Sequence, residues 1–124
     1  MTRKHERIDT KVVHAGEQRI GDAVVAPIFQ SSTFVFRDEA AYDDIKYVRL
    51  NNTPTHDILH AKLAALETAE AGLVLGRGMA AISTVLLTFC APGASFVHST
   101  PLYGGTQHLI HQLLTPLGLR SVGV

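Results

Sequence analysis

The chain has 124 residues, of which 46% are hydrophobic and 18% are charged, a composition that excludes an intrinsically disordered chain. Eleven basic residues balance eleven acidic ones, whereas a nucleic-acid-binding protein carries a basic excess. The single cysteine excludes an internal disulfide, and neither a membrane-spanning run nor a secretory signal is recognisable, so we expect a cytoplasmic protein that does not bind membranes.

The first part of the chain, residues 1–52, is predicted to be an N-terminal arm. Residues 1–23 are polar, and their hydrophobic residues show no sustained helical or strand periodicity. Residues 24–36 contain Pro27 and a Ser/Thr cluster, which favour extended or irregular structure. A short helix is predicted over 38–45, because acidic residues lie in its first turn, and a loop follows.

The second part, residues 53–124, alternates between helices and strands. A helix is predicted from Thr53-Pro54 to about Glu70, with a buried stripe made of Leu59, Leu63 and Leu66. The rest is predicted as a strand over 72–76, a mostly buried helix over 79–90, a strand over 95–98, a helix over 105–115 and a strand over 120–124. This alternation indicates an α/β domain with parallel strands. A sheet of three strands is smaller than the usual five or six and looks incomplete, so we interpret the chain as a fragment or as a protein that needs a partner.

Two glycine-containing turns follow predicted strands, and they are the first candidates for a ligand site. Gly76-Arg77-Gly78-Met79 opens a predicted helix, where backbone N–H groups and the arginine suit a phosphate group. Tyr103 precedes Gly104-Gly105, and its ring is suited to stacking on a flat ligand. Loops beyond the carboxyl ends of parallel strands share one edge, so both turns are expected to face one crevice. The alternatives are a tight turn without a ligand and an exposed tyrosine.

A third candidate is the extended segment that contains Tyr47 and Arg49. Side chains two residues apart in an extended strand point the same way, so this pair offers a phenol and a guanidinium to one anion. The alternative is a surface loop with a solvated arginine.

The histidines, the cysteine and the lysines give weaker signals. His56 and His60 are four apart on a predicted helix, as in a zinc-protease motif, but Asp57 stands where the motif has Glu and no third ligand is evident. We therefore predict no metal site and interpret this pair, like His108 and His111, as helix-surface residues. Cys90 is predicted to lie in the core. None of the four lysines has a sequence context that marks an amine nucleophile; they are Lys4, Lys11, Lys46 and Lys62.

Taken in order, these motifs resemble the N-terminal portion of the Cys/Met-metabolism enzymes that use pyridoxal 5′-phosphate (PLP). That family includes cystathionine γ-synthase, the cystathionine lyases, methionine γ-lyase and O-acetylhomoserine sulfhydrylase. Thr10-Lys-Val-Val-His-Ala-Gly16 is similar to the family's T-x-x-x-H-A-G, and Ala26-Pro-Ile-Phe-Gln-Ser-Ser-Thr-Phe34 is similar to its P-I-x-x-S-S-T-F segment. The resemblance covers the chain from Thr10 to its end, and the ordered series is more specific than any one motif.

The resemblance implies a fold and a set of site residues. The fold is the start of an aspartate-aminotransferase-type (fold type I) large domain, preceded by an extended arm. Gly78 and Met79 match the turn whose amides hold the cofactor phosphate, and Tyr103 matches the tyrosine that stacks on the pyridine ring. Tyr47 and Arg49 match a pair that reaches the phosphate of a neighbouring subunit, which implies a homo-oligomer with shared sites.

The sequence departs from the family at two of these positions. Gly76 and Arg77 stand where the family has one or two serines, so Arg77 is predicted to replace a phosphate-binding hydroxyl. The segment Asn52-Thr53-Pro54-Thr55 is one residue longer than the family's N-P-T, which is expected to alter how Tyr47 and Arg49 are aimed.

The largest departure is length, because the family's chains are about three times longer. The resemblance places downstream, outside this sequence, the Schiff-base lysine, the aspartate that pairs with the pyridine nitrogen and the arginine that binds the substrate carboxylate. We therefore expect this chain to be the N-terminal fragment of an enzyme that performs β- or γ-elimination or replacement on sulfur amino acids. We expect the chain to be inactive alone. The choice between lyase and synthase stays open. The alternatives are a non-catalytic remnant that pairs with a full-length relative and a metal-dependent hydrolase built on His56 and His60.

Overall fold

The computed structural model describes residues 7–38 and 41–124. The chain forms two compact units, one ending at Val74 and the other beginning at Leu75. Within the described residues, no helix is long and apolar enough to cross a membrane. The division into an arm, 1–52, and a cofactor domain, 53–124, stays a prediction.

The arm contains more helix than its sequence pattern predicts. Helix α1 spans Ile8–His14, in the polar region where the sequence shows no periodicity of hydrophobic residues. Residues 24–36 are extended or irregular, as expected. The predicted helix over 38–45 is wrong where it can be described: a 3₁₀ turn covers only Tyr42–Asp44, and Asp38 has a left-handed φ of 58°. Glu39 and Ala40 lie outside the described residues.

Helix α2 spans Pro54–Glu67 and begins where the sequence predicts. Thr53 is its N-cap residue and Pro54 supplies the fixed φ of the first turn. The helix ends before Glu70 because Thr68 adopts a left-handed φ of 56° and closes the last turn.

The predicted leucine stripe on α2 is not buried. Leu59 is 42% exposed and Leu63 is 41% exposed, and the buried apolar residue of this helix is Ala64. Helix α1 contacts α2, and the turn that follows α1 approaches the backbone of α2 closely: a Cβ built on Gly16 would lie 2.7 Å from the carbonyl oxygen of Ile58. The approach is to the backbone of Ile58, Ala61 and Lys62, and Leu66, the third leucine of the predicted stripe, is half-buried.

The predicted strand over 72–76 is absent, and this segment has no regular structure. Gly72 lies against α2, where an added Cβ would be 3.0 Å from the carbonyl oxygen of His60 and 3.3 Å from the amide nitrogen of Ala64. Gly72 therefore lies against a helix and the segment joins no sheet, while Leu73 is 62% exposed.

The second unit follows the predicted order closely. Helix α3 spans Gly78–Phe89, strand β1 spans Ser95–His98 and strand β2 spans Arg120–Gly123. Helix α4, Gly104–Leu109, continues into a π-helical turn, Ile110–Leu114. Strands β1 and β2 pair in parallel, with Ser95 opposite Arg120 and His98 opposite Gly123, and they form the two-stranded sheet of the described chain.

The core of the second unit lies on one face of this sheet. Ile110, Leu114 and Leu119 are buried, and partly buried apolar residues pack against them, including Leu86, Cys90 and Phe96. Cys90 is thus a packing residue, as predicted. On the other face, Val97 and Val122 lie opposite each other and are 67% and 53% exposed.

Helix α3 does not match the expectation of a mostly buried helix. None of its residues is fully buried, and Phe89 is 81% exposed. The physical reason is that Leu86 contacts the core from one side of α3, while Val85 and Leu87 point away from it. The fold is nevertheless the α/β arrangement with parallel strands that the sequence predicts.

Candidate cofactor site

The amino end of α3 presents unbonded backbone donors to open space. Arg77 is the N-cap residue, and the first helical bond runs from the amide of Ala81 to the carbonyl oxygen of Arg77, at 3.2 Å. The N–H groups of the first turn have no acceptor inside a helix, and the helix dipole adds partial positive charge there. A Cβ built on Gly76 or Gly78 would meet nothing within 4 Å, so an anion has room to approach the backbone.

Tyr103 lies just beyond the carboxyl end of β1 and begins α4. Its carbonyl oxygen accepts hydrogen bonds from the amides of Thr106 (2.9 Å) and Gln107 (3.1 Å), which fix the backbone. Its side chain is 74% exposed, so the ring is available to a ligand.

The structure brings this tyrosine and the α3 turn together. A Cβ built on Gly105 would lie 2.6 Å from Cε1 of Tyr103 and 3.3 Å from the sulfur of Met79. The hydroxyl of Thr106 donates to the same sulfur at 3.7 Å. The two turns that the sequence predicts to share a crevice are therefore neighbours within one unit.

The charge of this unit also suits an anion, a signal that the sequence analysis missed. Residues 75–124 contain no aspartate and no glutamate, and their two arginines are Arg77 and Arg120. The guanidinium of Arg120, at the start of β2, donates to the carbonyl oxygen of Gly93 at 3.3 Å. Arg77 stands at the open turn, where no carboxylate of its own unit competes with a bound phosphate.

These features together fit a phosphate ester attached to a flat ring. The open turn of α3 supplies amide donors and a guanidinium, and Tyr103 supplies an aromatic face. A group such as PLP, with a phosphate and an aromatic ring, needs both.

Tyr47 and Arg49 lie in the other unit, where their side chains meet. The segment that carries them is not extended as predicted, because Val48–Leu50 forms a 3₁₀ turn and Asn51 closes it with a left-handed φ of 55°. The guanidinium carbon of Arg49 is 4.6 Å from the centre of the Tyr47 ring, in a cation–π contact. Asn52 holds the loop: its Oδ1 accepts from the amide of Tyr47 at 3.0 Å, and its Nδ2 donates to the carbonyl oxygen of Ile45 at 2.7 Å. The role of Asn52 was not predicted, although an asparagine in a loop signals such side-chain-to-backbone bonds.

The extra residue in this loop is accommodated at the start of α2. Thr53 is 3% exposed, and its hydroxyl is hydrogen-bonded to Nδ1 of His56 at 2.8 Å. The rings of His56 and His60 are 6.2 Å apart, and the described residues contain no group of three or more His, Cys, Asp or Glu that could hold a metal. The structure therefore adds no third ligand to this pair.

The described lysines are all engaged, and all precede residue 75. The ammonium of Lys11 donates to the carbonyl oxygen of Ala65 (3.2 Å), and that of Lys62 to the carbonyl oxygen of Val13 (2.9 Å). Lys46 forms an ion pair of 2.8 Å with Asp57. Lys4 lies outside the described residues.

Comparison with known proteins gives a consistent result. The sequence pattern of the Cys/Met metabolism PLP-dependent enzymes matches residues 9–124. The chain is 37% identical to L-methionine gamma-lyase of Fusobacterium nucleatum subsp. nucleatum, covering 96% of this chain and 32% of that protein. It is 35% identical to cystathionine gamma-lyase of Bacillus subtilis, covering 93% of this chain and 30% of that protein.

The structural comparison agrees with the sequence comparison. Cystathionine gamma-lyase from Lactobacillus plantarum superposes with a TM-score of 0.82 at 30% identity, over 96% of this chain and 31% of that chain. The chain thus spans about a third of the length of the relatives it matches. These matches show that the chain belongs to the Cys/Met metabolism family of enzymes whose cofactor is pyridoxal 5′-phosphate.

Proposed function

We propose that this chain supplies the phosphate-binding turn and the ring-stacking tyrosine of a PLP site in an enzyme that acts on sulfur amino acids. One observation carries the proposal: the side chains of Met79 and Tyr103 both lie against Gly105, beside an open helix terminus. Arg77, Gly78 and Met79 would hold the phosphate, and Tyr103 would stack on the pyridine ring. When bound, PLP supplies an electron sink for a negative charge that develops on the substrate.

Under this proposal, the chain has no catalytic activity by itself. PLP chemistry on amino acids needs a lysine that attaches the cofactor and an acid beside the ring nitrogen. The unit with the phosphate-type turn contains no lysine, aspartate or glutamate. Each described lysine of the other unit already has a hydrogen-bond acceptor. These observations support the inference that further residues, outside this sequence, complete the catalytic set.

The proposed partner is a second copy of the chain or a full-length relative, with Tyr47 and Arg49 directed to the partner's cofactor phosphate. The exposed arm supports a partner: Val24 is 86% exposed, Ile28 is 80% exposed and Val35 is 79% exposed. Such residues are usually covered in an assembly. The same observation favours the second candidate function, a non-catalytic remnant that pairs with a full-length relative. We place either form in the cytoplasm, in keeping with the single cysteine.

The proposed substrates are methionine, cystathionine or O-acylhomoserine-type compounds. The matched relatives include an L-methionine gamma-lyase, a probable cystathionine gamma-synthase from Herpetosiphon aurantiacus and an O-acetyl-L-homoserine sulfhydrylase from Leptospira meyeri. All these substrates present an α-amino acid to the cofactor. The proposal therefore extends to this class and leaves elimination and replacement as the two reactions to distinguish.

Binding of pyridoxamine 5′-phosphate to the purified chain tests the proposal. This probe keeps the ring and the phosphate of PLP but has no aldehyde to react with lysines. We expect saturable binding that weakens about tenfold or more in Arg77→Gln, because a charge-assisted hydrogen bond contributes about 1.5–3 kcal/mol. Arg120→Gln is the matched control, since it removes the unit's other arginine and should leave the affinity unchanged. Equal losses in both variants, or no binding by the parent chain, would contradict the proposal.

A further inference from the structure

We propose that Gly105 is a positioning residue for the cofactor site: its lack of a side chain lets the ring of Tyr103 lie over the start of α4, beside Met79. The inference rests on the proposed function and assigns a role to a residue that has no side chain with which to contact a ligand or take part in chemistry.

The space at Gly105 is the evidence. A Cβ built there would lie 2.6 Å from Cε1 and 3.2 Å from Cδ1 of Tyr103, and 3.3 Å from the sulfur of Met79. Contacts below 3.0 Å essentially never occur for a real Cβ. Gly105 is not among the glycines with positive φ. The requirement for glycine is therefore steric and comes from the tyrosine ring rather than from the backbone conformation.

If a methyl group is added at position 105, the tyrosine ring is the part that moves. The backbone of Tyr103 is fixed by the amides of Thr106 and Gln107, and Thr106 is itself buried and bonded to Met79. The Tyr103 side chain, in contrast, is 74% exposed and has solvent to rotate into. The substitution should therefore displace the ring and spare the fold.

Gly104 provides a matched control in the same turn. It precedes Gly105 in α4, and a Cβ built on it would meet nothing within 4 Å. Alanine replaces glycine favourably in helices at both positions. A purely structural role for Gly105 predicts that the two variants behave alike, whereas a positioning role separates them.

The experiment compares Gly105→Ala and Gly104→Ala in the full chain by three measurements: affinity for pyridoxamine 5′-phosphate, affinity for inorganic phosphate, and the urea midpoint. We expect Gly105→Ala to bind pyridoxamine 5′-phosphate about 2- to 10-fold more weakly, since an aromatic pair contributes about 0.5–1.5 kcal/mol. Its phosphate affinity and its urea midpoint should equal those of Gly104→Ala. The circular dichroism induced in the absorption band of the bound probe should decrease in Gly105→Ala alone.

A double-mutant comparison tests whether Gly105 acts through the ring. In a Tyr103→Ala background, Gly105→Ala should have no further effect on binding. Equal affinities of Gly105→Ala and Gly104→Ala, a matching loss of inorganic phosphate binding, or an undiminished effect without Tyr103 would each overturn the inference while leaving the proposed function intact. A parent chain that fails to bind the probe would overturn the proposed function and this inference with it.

Discussion

The two compact units of this chain are held together by different interactions. In the unit that ends at Val74, side chains reach distant backbone groups: Lys11 bonds to Ala65, Lys62 to Val13, and Nδ2 of Asn51 donates to the carbonyl oxygen of Val74 at 2.7 Å. In the unit that begins at Leu75, an apolar cluster of Ile110, Leu114 and Leu119 packs under a pair of parallel strands.

This difference shows where each kind of substitution should act. Removing apolar volume should be costly in the second unit, where leucine and isoleucine are buried. The first unit has Ala64 and Thr53 as its buried apolar and polar residues, so it should instead respond to changes in backbone approach and in polar contacts.

The largest effect is expected at the core of the second unit. Leu114 is 0% exposed, so Leu114→Ala should lower the free energy of unfolding by about 2–5 kcal/mol through lost burial and a residual cavity. Urea unfolding followed by circular dichroism measures it. Leu113, the preceding residue, is 45% exposed, and Leu113→Ala should cost much less. Similar costs for the two variants would show that this cluster does not dominate its unit.

In the first unit, the contact between α1 and α2 should depend on Gly16. Gly16 has φ of 72°, and an added Cβ would lie 2.7 Å from both the oxygen of Ile58 and the amide nitrogen of Lys62. We expect Gly16→Ala to cost about 2–5 kcal/mol, the sum of a left-handed alanine and a backbone clash.

Gly21 is the matched control for this contact. It has φ of 60° and nothing within 4 Å of an added Cβ, so Gly21→Ala should cost only the conformational part, about 1–2 kcal/mol. Thermal unfolding of both variants compares them. If Gly21→Ala is as destabilising as Gly16→Ala, the close approach to α2 does not stabilise this unit.

A smaller effect is expected at Asn52, whose amide closes the loop that carries Tyr47 and Arg49. Asn52→Ala removes at least the hydrogen bonds to the amide of Tyr47 and the carbonyl oxygen of Ile45, and it should cost about 1–2 kcal/mol. Hydrogen exchange of the Tyr47 amide should accelerate in Asn52→Ala. Asn52→Asp keeps the acceptor for that amide and should protect it, so equal exchange rates in the two variants would show that Asn52 does not hold the loop.

The smallest effect is expected at the ion pair between Lys46 and Asp57. Their side chains are 42% and 35% exposed, so solvent screens the 2.8 Å contact. A double-mutant cycle with Lys46→Met and Asp57→Asn should give a coupling below about 1 kcal/mol that decreases with added salt. A larger, salt-independent coupling would mean that this pair contributes more to its unit than the loop contacts do.

The sequence predicted the second unit better than the first, for a physical reason. Strand β1 and helix α4 are bounded by Pro and Gly signals that act locally, so their positions were correct. In the first unit, α1 contacts α2, and Gly16 and Gly72 approach the backbone of α2 closely; no local pattern reveals such contacts.

For the candidate site, motif order singled out residues whose roles stay predictions, and it did not reveal the contacts between them. The residue types in the two glycine-containing turns singled out Arg77, Gly78 and Tyr103. The structure adds the contacts at Gly105 and the hydrogen bond from the amide of Tyr47 to the side chain of Asn52. Both additions depend on which atoms meet in three dimensions. The absence of carboxylates from residues 75–124, in contrast, was visible in the sequence and was missed because charge was summed over the whole chain.

The most direct test of the central claim is a nuclear magnetic resonance titration of the full chain with pyridoxamine 5′-phosphate. We expect saturable shifts of the Gly78 and Met79 amides together with the ring protons of Tyr103, because one molecule would contact both turns. The Gly93 amide, which donates to the carbonyl oxygen of Gly118 at 3.0 Å, should not move. Shifts confined to residues before Leu75, or amide shifts without shifts of the Tyr103 ring, would show that the two turns do not form one cofactor site.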